Sequence, residues 1–260
     1  MAEILKQIVE VKRREVERLK AEVPRAGLER RIETQTPPLN LSGALMGDGV
    51  RVIGEAKRSS PVKGLLRKDF DAVSLAKAYA DNGAAAISVL TNVEHFEGSI
   101  DDMVAVRERM YPRGVPVLRK DFVFDPYQVY ESRAHGADAI LLIVSILSPA
   151  DLRELIGLSR TLWMQCLVEV HDEGELQTAV DAGAEILGVN NRNLRTFETS
   201  LAVTERLAPL VPNGHVIVSE SGIVSRADVE RAGRAGAHAV LVGEALVSSE
   251  DPGSKMREMA

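Results

Sequence analysis

One phrase recurs along the chain. It reads Asn82-Gly-Ala-Ala-Ala-Ile-Ser-Val-Leu90, then His135-Gly-Ala-Asp-Ala-Ile-Leu-Leu-Ile143, then Ala182-Gly-Ala-Glu-Ile-Leu-Gly-Val189, then Ala235-Gly-Ala-His-Ala-Val-Leu-Val242. Each time a helical pattern runs into Gly-Ala and then into a short aliphatic or β-branched run. A glycine at that point suits the left-handed residue that ends a helix and turns the chain. The apolar runs do not alternate with polar residues, so the strands are expected to be buried on both faces, as in a parallel sheet wrapped by helices. Eight such runs can be counted, at residues 52–57, 85–90, 116–122, 139–144, 166–170, 186–190, 216–220 and 239–242, with helical patterns such as 73–81, 127–134, 173–182 and 226–235 between them. An open doubly wound sheet usually has fewer strands and a glycine-rich turn after the first. Here the first strand leads into Arg58-Ser59-Ser60-Pro61, so the reading is an α/β fold: a single closed (βα)₈ TIM barrel. The length of 260 residues suits one such unit, since these barrels run to about 250 residues.

Ahead of the first strand, residues 2–22 place Ile4, Leu5, Ile8, Val9, Val16 and Leu19 at roughly helical spacing among charges. They read as an amphipathic helix, which by itself would seal the barrel bottom or lie along its side. Residues 23–49, broken by Thr36-Pro37-Pro38, read as a linker with one short helix. The expected organisation is therefore an N-terminal helical extension over residues 1–50 and a catalytic barrel over 51–260.

Composition narrows the function. Lys and Arg total 32 against 38 Asp and Glu, a formal charge of −6, which argues against a nucleic-acid or membrane-surface binder. The chain start is charged throughout and no run approaches the roughly 20 apolar residues of a membrane helix, so a cytoplasmic protein is expected. Cys166 is the lone cysteine, which excludes an intrachain disulfide and a Cys-rich zinc site. It reads as a buried inert thiol, Trp163 and Tyr127 read as packing residues, and five scattered histidines offer no metal spacing. No metal site is expected.

The chemistry sits where the apolar strands stop. Their C-terminal ends read Gly54-Glu55-Ala56-Lys57, Leu118-Arg119-Lys120-Asp121-Phe122, Leu167-Val168-Glu169-Val170-His171, Val189-Asn190-Asn191-Arg192, Ser219-Glu220-Ser221-Gly222 and Val242-Gly243-Glu244. Six strands thus carry polar groups to one rim, the rim on which barrel enzymes build their sites. A single strand-end charge could belong to an internal salt bridge; six together are better explained by function. Interleaved lysines and glutamates can hold an acid and a base at once, and burial is expected to draw both kinds of pKa toward neutral. The glycines after strands seven and eight leave backbone N–H groups free where such barrels often bind phosphate. A small phosphorylated substrate follows, handled by a monomer or a dimer.

At these residues the chain closely resembles indole-3-glycerol-phosphate synthase, over about residues 4–259. The resemblance is carried by Glu55-Ala-Lys-Arg-Ser-Ser-Pro-Val-Lys-Gly64, Leu90-Thr91 with Phe96-Glu-Gly-Ser99, Val117-Leu-Arg-Lys-Asp-Phe122 and Asp125-Pro-Tyr-Gln128. Leu167-Val-Glu-Val-His171, Gly188-Val-Asn-Asn-Arg-Asn-Leu194, Ser219-Glu-Ser-Gly-Ile223 and Val242-Gly-Glu244 complete it. It implies a cofactor-free carboxy-lyase of tryptophan biosynthesis. The reaction closes the ring of 1-(2-carboxyphenylamino)-1-deoxyribulose 5-phosphate to give indole-3-glycerol phosphate, CO2 and water. It further implies Lys120 as the general acid at the carbonyl oxygen, Lys57 on the anthranilate carboxylate and Glu169 in the dehydration, leaving open which of Lys57 and Glu169 delivers the proton there. Glu55, Asn190 and Glu220 would orient these groups. Ser221, Gly222, Gly243 and Glu244 would cradle phosphate, Ser60 and Arg192 would fix the anionic ends, and Phe96, Phe122 and Leu141 would take the aromatic ring. The resemblance also puts the extension helix over the active-site face.

Departures from the family pattern are small: Val62 and Ala245 stand where serine is common, and Gly54 where alanine is frequent. The rival readings are another phosphate-binding barrel, such as phosphoribosylanthranilate isomerase or the tryptophan synthase α subunit, and a non-catalytic barrel that binds a phosphorylated ligand. The isomerase expects a Cys/Asp pair, and no cysteine stands at the first strand.

Overall fold

The computed structural model describes residues 3–260, so the first residue of the expected extension helix, Ala2, lies outside the described residues. Eight parallel strands close on themselves: β1 (Arg51–Ala56), β2 (Ala86–Leu90), β3 (Val117–Lys120), β4 (Ala139–Ile143), β5 (Gln165–Val170), β6 (Ile186–Asn190), β7 (Val216–Glu220) and β8 (Ala239–Val242). Each pairs with its sequence neighbours, and β1 closes on β8 through Arg51 opposite Ala239 and Gly54 opposite Val242. The third strand stops at Lys120, shorter than the sequence pattern, because Asp121 turns its carboxylate onto the N–H of Phe122 at 2.9 Å.

The expected joint recurs in the structure. Gly83, Gly136, Gly183 and Gly236 all have positive φ, between +84° and +107°, as a left-handed helix end requires. A fifth joint carries no glycine. After the helix Pro149–Thr161 the same position is held by Trp163, at φ 63°. The residue is 83% exposed, which corrects the expectation of a packing residue: the position serves the left-handed turn and not the core. Tyr127, by contrast, is buried, and its hydroxyl donates to the carbonyls of Leu19 and Val23 at 3.0 Å each.

Side chains alternate along every strand, although hydrophobicity does not. Val52, Ile87, Val117, Ile140, Val168, Leu187, Ile217 and Val240 face the helices, in the layer between sheet and helices. Ile53, Ala86, Leu118, Leu141, Leu167, Ile186, Val218 and Leu241 fill the barrel interior. Gly54 faces the helices, and a Cβ there would lie 2.7 Å from the ring of Tyr79. A fully buried tyrosine thus occupies the volume that alanine would need.

The extension begins with the expected long helix, but the segment after it holds two helices rather than one. It comprises α1 (Glu3–Glu22), α2 (Arg25–Glu33) and α3 (Leu41–Ala44), the second hidden by a sequence rich in arginine and glutamate that buries Leu28 alone. Leu5 and Ile8 of α1 and Leu41 and Leu45 around α3 join the same interior cluster. Ser42 donates its N–H to Gln165, at the start of β5, at 2.9 Å. The extension therefore plugs the barrel at the strand starts with α3 and meets the interior again with α1. Burying each of these leucines contributes about 1.5–3 kcal/mol. No described helix is long and apolar enough to cross a membrane.

Candidate active site

The two-residue period of the strands sorts the polar residues at their ends. Continuing inward from Ile53, Leu118, Leu167, Ile186 and Val218 brings Glu55, Lys120, Glu169, Asn190 and Glu220 to the interior face. Their neighbours Arg119, Asn191 and Ser219 point the other way, into the helix layer. Arg119 is buried there against Glu131, Asp121, Thr91 and Ser132 at 2.7, 3.1, 3.0 and 3.0 Å.

The inward set opens into one cavity of about 630 Å³, and all fifteen expected site residues line it, a size suited to a small ligand. Lys57 lies 2.9 Å from Glu55. Lys120 lies 3.8 Å from Glu169 and 3.7 Å from Glu220. Phe96 and Phe122 meet with ring centroids 6.1 Å apart, beside Leu141. Ser60 accepts the N–H of Lys63 at 3.1 Å, and the Lys63 side chain reaches Glu244 to join the loops after β1 and β8. Arg192 donates its backbone N–H to Asn190 at 3.0 Å and its guanidinium to the carbonyl of Phe197 at 3.1 Å.

Two glycines make room for the carboxylates. A Cβ on Gly188 would run into the Glu220 carboxylate, and one on Gly243 into that of Glu55. After β7, Ser221 and Gly222 both take positive φ, 67° and 76°. A serine in that conformation costs on the order of 1–3 kcal/mol, a cost that concentrates at functional turns.

Electrostatically the cluster corrects the expectation that burial brings lysines and glutamates together near neutrality. Burial pushes Lys120 down, but Glu220, Glu169 and Glu55 outweigh it, so its ammonium is held charged. Burial raises Glu55, and Lys57 and Lys120 overcome it to leave the carboxyl below its ordinary value. Glu169 is also lowered: burial opposes ionisation, while His171, Lys120 and Asn190 favour it. Glu220 is the exception. Neither of its oxygens has a hydrogen-bond partner, and burial together with the charges of Glu169 and Glu55 outweighs Lys120 and raises it. The site thus holds a charged lysine, an ionised glutamate and a carboxyl inclined to keep its proton. Cys166 lies elsewhere, its thiol pushed up to about 12 by burial.

Lys12 and Asp121 were missed by the sequence reading. Asp121 lines the cavity and accepts from Thr91 at 2.7 Å and Arg119 at 3.1 Å, while Lys12 of α1 approaches to 2.8 Å with 1% of its side chain exposed. Ile4, Leu5 and Ile8 of the same helix line the cavity as well. A signal was present: the apolar stripe at 5, 8, 9 and 16 skips position 12, where a lysine sits on the buried face.

The sequence model for indole-3-glycerol phosphate synthase matches residues 5–259. The chain belongs to the indole-3-glycerol phosphate synthase family. It is 52% identical over 257 residues to the indole-3-glycerol phosphate synthase of Dehalococcoides mccartyi, covering 98% of this chain and 99% of that one. The Roseiflexus synthase is 48% identical, with 100% and 98% covered. As an indole-3-glycerol phosphate synthase family member it is a carboxy-lyase acting on a small phosphorylated substrate. Among solved structures, 3-hexulose-6-phosphate synthase from Salmonella typhimurium superposes with a TM-score of 0.66 at 17% identity, covering 81% of this chain and 96% of that one. Thiamine phosphate pyrophosphorylase from Pyrococcus furiosus gives 0.64 at 16%, with 85% and 96% covered. These two likenesses show the barrel fold alone.

Proposed function

We propose that the cavity closes and decarboxylates 1-(2-carboxyphenylamino)-1-deoxyribulose 5-phosphate to indole-3-glycerol phosphate, with Lys120 as acid and Glu169 as base. The supporting observation is that a charged lysine and an ionised glutamate stand 3.8 Å apart in one buried mouth. An alkoxide forming at the substrate carbonyl is far more basic than an amine, so an ammonium held charged by the Glu169 and Glu55 carboxylates still protonates it. Loss of CO2 restores aromaticity; the hydroxyl then leaves as water with a proton from Lys57, and Glu169 accepts the proton that the new five-membered ring gives up. Lys57, held by Glu55, takes the anthranilate carboxylate and shares in the dehydration; its charge favours binding more than loss of CO2.

Glu220, with its proton retained, and Asn190 orient the reacting groups. The backbone of Ser221, Gly222, Gly243 and Glu244 faces the phosphate, with Ser60 and Arg192 at the anionic ends and the ring between Phe96, Phe122 and Leu141. The extension over residues 1–50 caps this mouth through α1. The test is turnover of the carboxyphenylamino sugar phosphate by purified protein, followed by indole fluorescence. A protein that binds the substrate without producing the indole would be a ligand-binding barrel, and the proposal would fall.

A further inference from the structure

Glu169 is met from every side. Lys120 faces it from β3 at 3.8 Å, Glu220 from β7 and Glu55 from β1 share its field, and Asn190 stands beside it on β6. Behind it, at the end of its own strand, His171 brings Nε2 to within 3.3 Å of its carboxylate. The histidine is itself held. Glu175, in the first turn of the helix Glu173–Asp181, accepts both the backbone N–H of His171 at 2.8 Å and its ring Nδ1 at 2.9 Å. At the equivalent helix positions Gln128 and Asp228 close reciprocal capping boxes with the N-cap residue, whereas Glu175 gives its carboxylate to an imidazole. Among the described residues neither His171 nor Glu175 lines the cavity.

We propose that His171, backed by Glu175, is a positioning residue: a fixed cation behind Glu169 that holds the carboxylate charged and in place. The inference rests on the reading of Glu169 as the base. Its logic is a change of charge during the reaction. Lys120 is the cation on the cavity side, and in its proposed role it gives its proton away. The carboxylate would then sit buried with that cation neutralised and with the ionised Glu55 nearby, conditions that favour its protonation. His171 keeps a positive charge on the far side throughout. Burial pushes the imidazole down, but Glu169 and Glu175 outweigh it and raise it to about 10, so it stays an imidazolium at neutral pH.

The test is the pH profile of kcat for His171→Gln and Glu175→Gln, with Glu169→Gln as reference. A base works above its own pKa, so removing the cation moves the acid limb of the profile upward. The expected shift for H171Q is about one unit or more, which is about a tenfold loss of kcat at a pH on that limb. E175Q should shift it less in the same direction, and KM should stay within about twofold because neither side chain touches the cavity. An acid limb that stays where the wild type has it overturns the inference, whether kcat is unchanged or uniformly lowered. If H171Q fails to fold, E175Q decides alone by the same criterion. Wild-type turnover by E169Q would instead refute the reading of Glu169 as base. An inactive E169Q beside unshifted H171Q and E175Q profiles would refute only the role of His171.

Discussion

Replacing Lys12 by methionine should loosen the extension helix from the barrel mouth, and the structure sets the size of the effect. Lys12 and Asp121 are 1% and 0% exposed and 2.8 Å apart. Removing one partner of a buried pair typically costs about 3–5 kcal/mol when the remaining charge is left alone. Asp121 is not left alone, since Arg119, Thr91 and the N–H of Phe122 stay within 3.1 Å. Methionine also preserves most of the buried stem, so about 2–3 kcal/mol is expected for K12M. For a domain of this size that corresponds to a fall in Tm of about 4–12 °C.

The pH dependence has a definite sign. Burial raises Asp121, but Lys12 and Arg119 outweigh it and hold the carboxyl far below its ordinary value. Its contribution is therefore present above the unfolded pKa of about 3.9 and is lost as pH falls toward the lower folded value. The gap between wild type and K12M should be full at pH 7 and shrink as the pH drops through 4. Adding Asp121→Asn removes the charge that lost its lysine partner, so the double variant should cost less than the sum of the single ones. Scanning calorimetry at fixed rate measures all four proteins. A K12M Tm within about 1 °C of wild type, or strict additivity in the double variant, would refute the argument that this pair fastens the helix.

Three further outcomes are expected. Lys120→Ala and Glu169→Ala should each lower kcat by on the order of 10²-fold or more, the usual scale for lost acid–base groups; turnover near wild type in either would remove that residue from the chemistry. Gly188→Ala should drive the Glu220 carboxylate from its place, because β6 is paired with β5 and β7 on both edges and cannot retreat. A fall in kcat of about tenfold with a stability cost of about 1–3 kcal/mol is expected from kinetics and thermal melts. Trp163→Gly should raise stability by about 1 kcal/mol, since it relieves a left-handed tryptophan whose ring is mostly in solvent; a lower Tm would count against that account.

The fold was legible because the joint repeats. Four Gly-Ala turns announce four helix-to-strand passages, and the fifth escaped the pattern because Trp163 does the work of glycine there. The second extension helix was not legible, since Arg25–Glu33 has almost no apolar face and is held by packing on the helix Pro126–Ala134. The site residues were legible as a set because polar groups at the ends of doubly buried strands stand out against their surroundings. Their charge states were not. Lys120 stays charged because the Glu169 and Glu55 carboxylates converge on it from two other strands, and sequence order says nothing of such convergence.

The same strand ends show how one barrel serves stability and chemistry at once. At the end of β3, Arg119 and Lys120 are adjacent in sequence and opposite in duty. Arg119 faces outward, each of its three guanidinium nitrogens bonded within the set Glu131, Asp121, Thr91 and Ser132, and fixes the strand against its helix. Lys120 faces inward to carboxylates 3.7 and 3.8 Å away, beyond hydrogen-bond reach. A forked guanidinium fits the first task, since its geometry is rigid and its charge permanent; an ammonium fits the second, since it can surrender a proton. Exchanging the two residue types would leave composition and net charge untouched. It would place a group that cannot act as an acid in the cavity and one with too few donors in the wall.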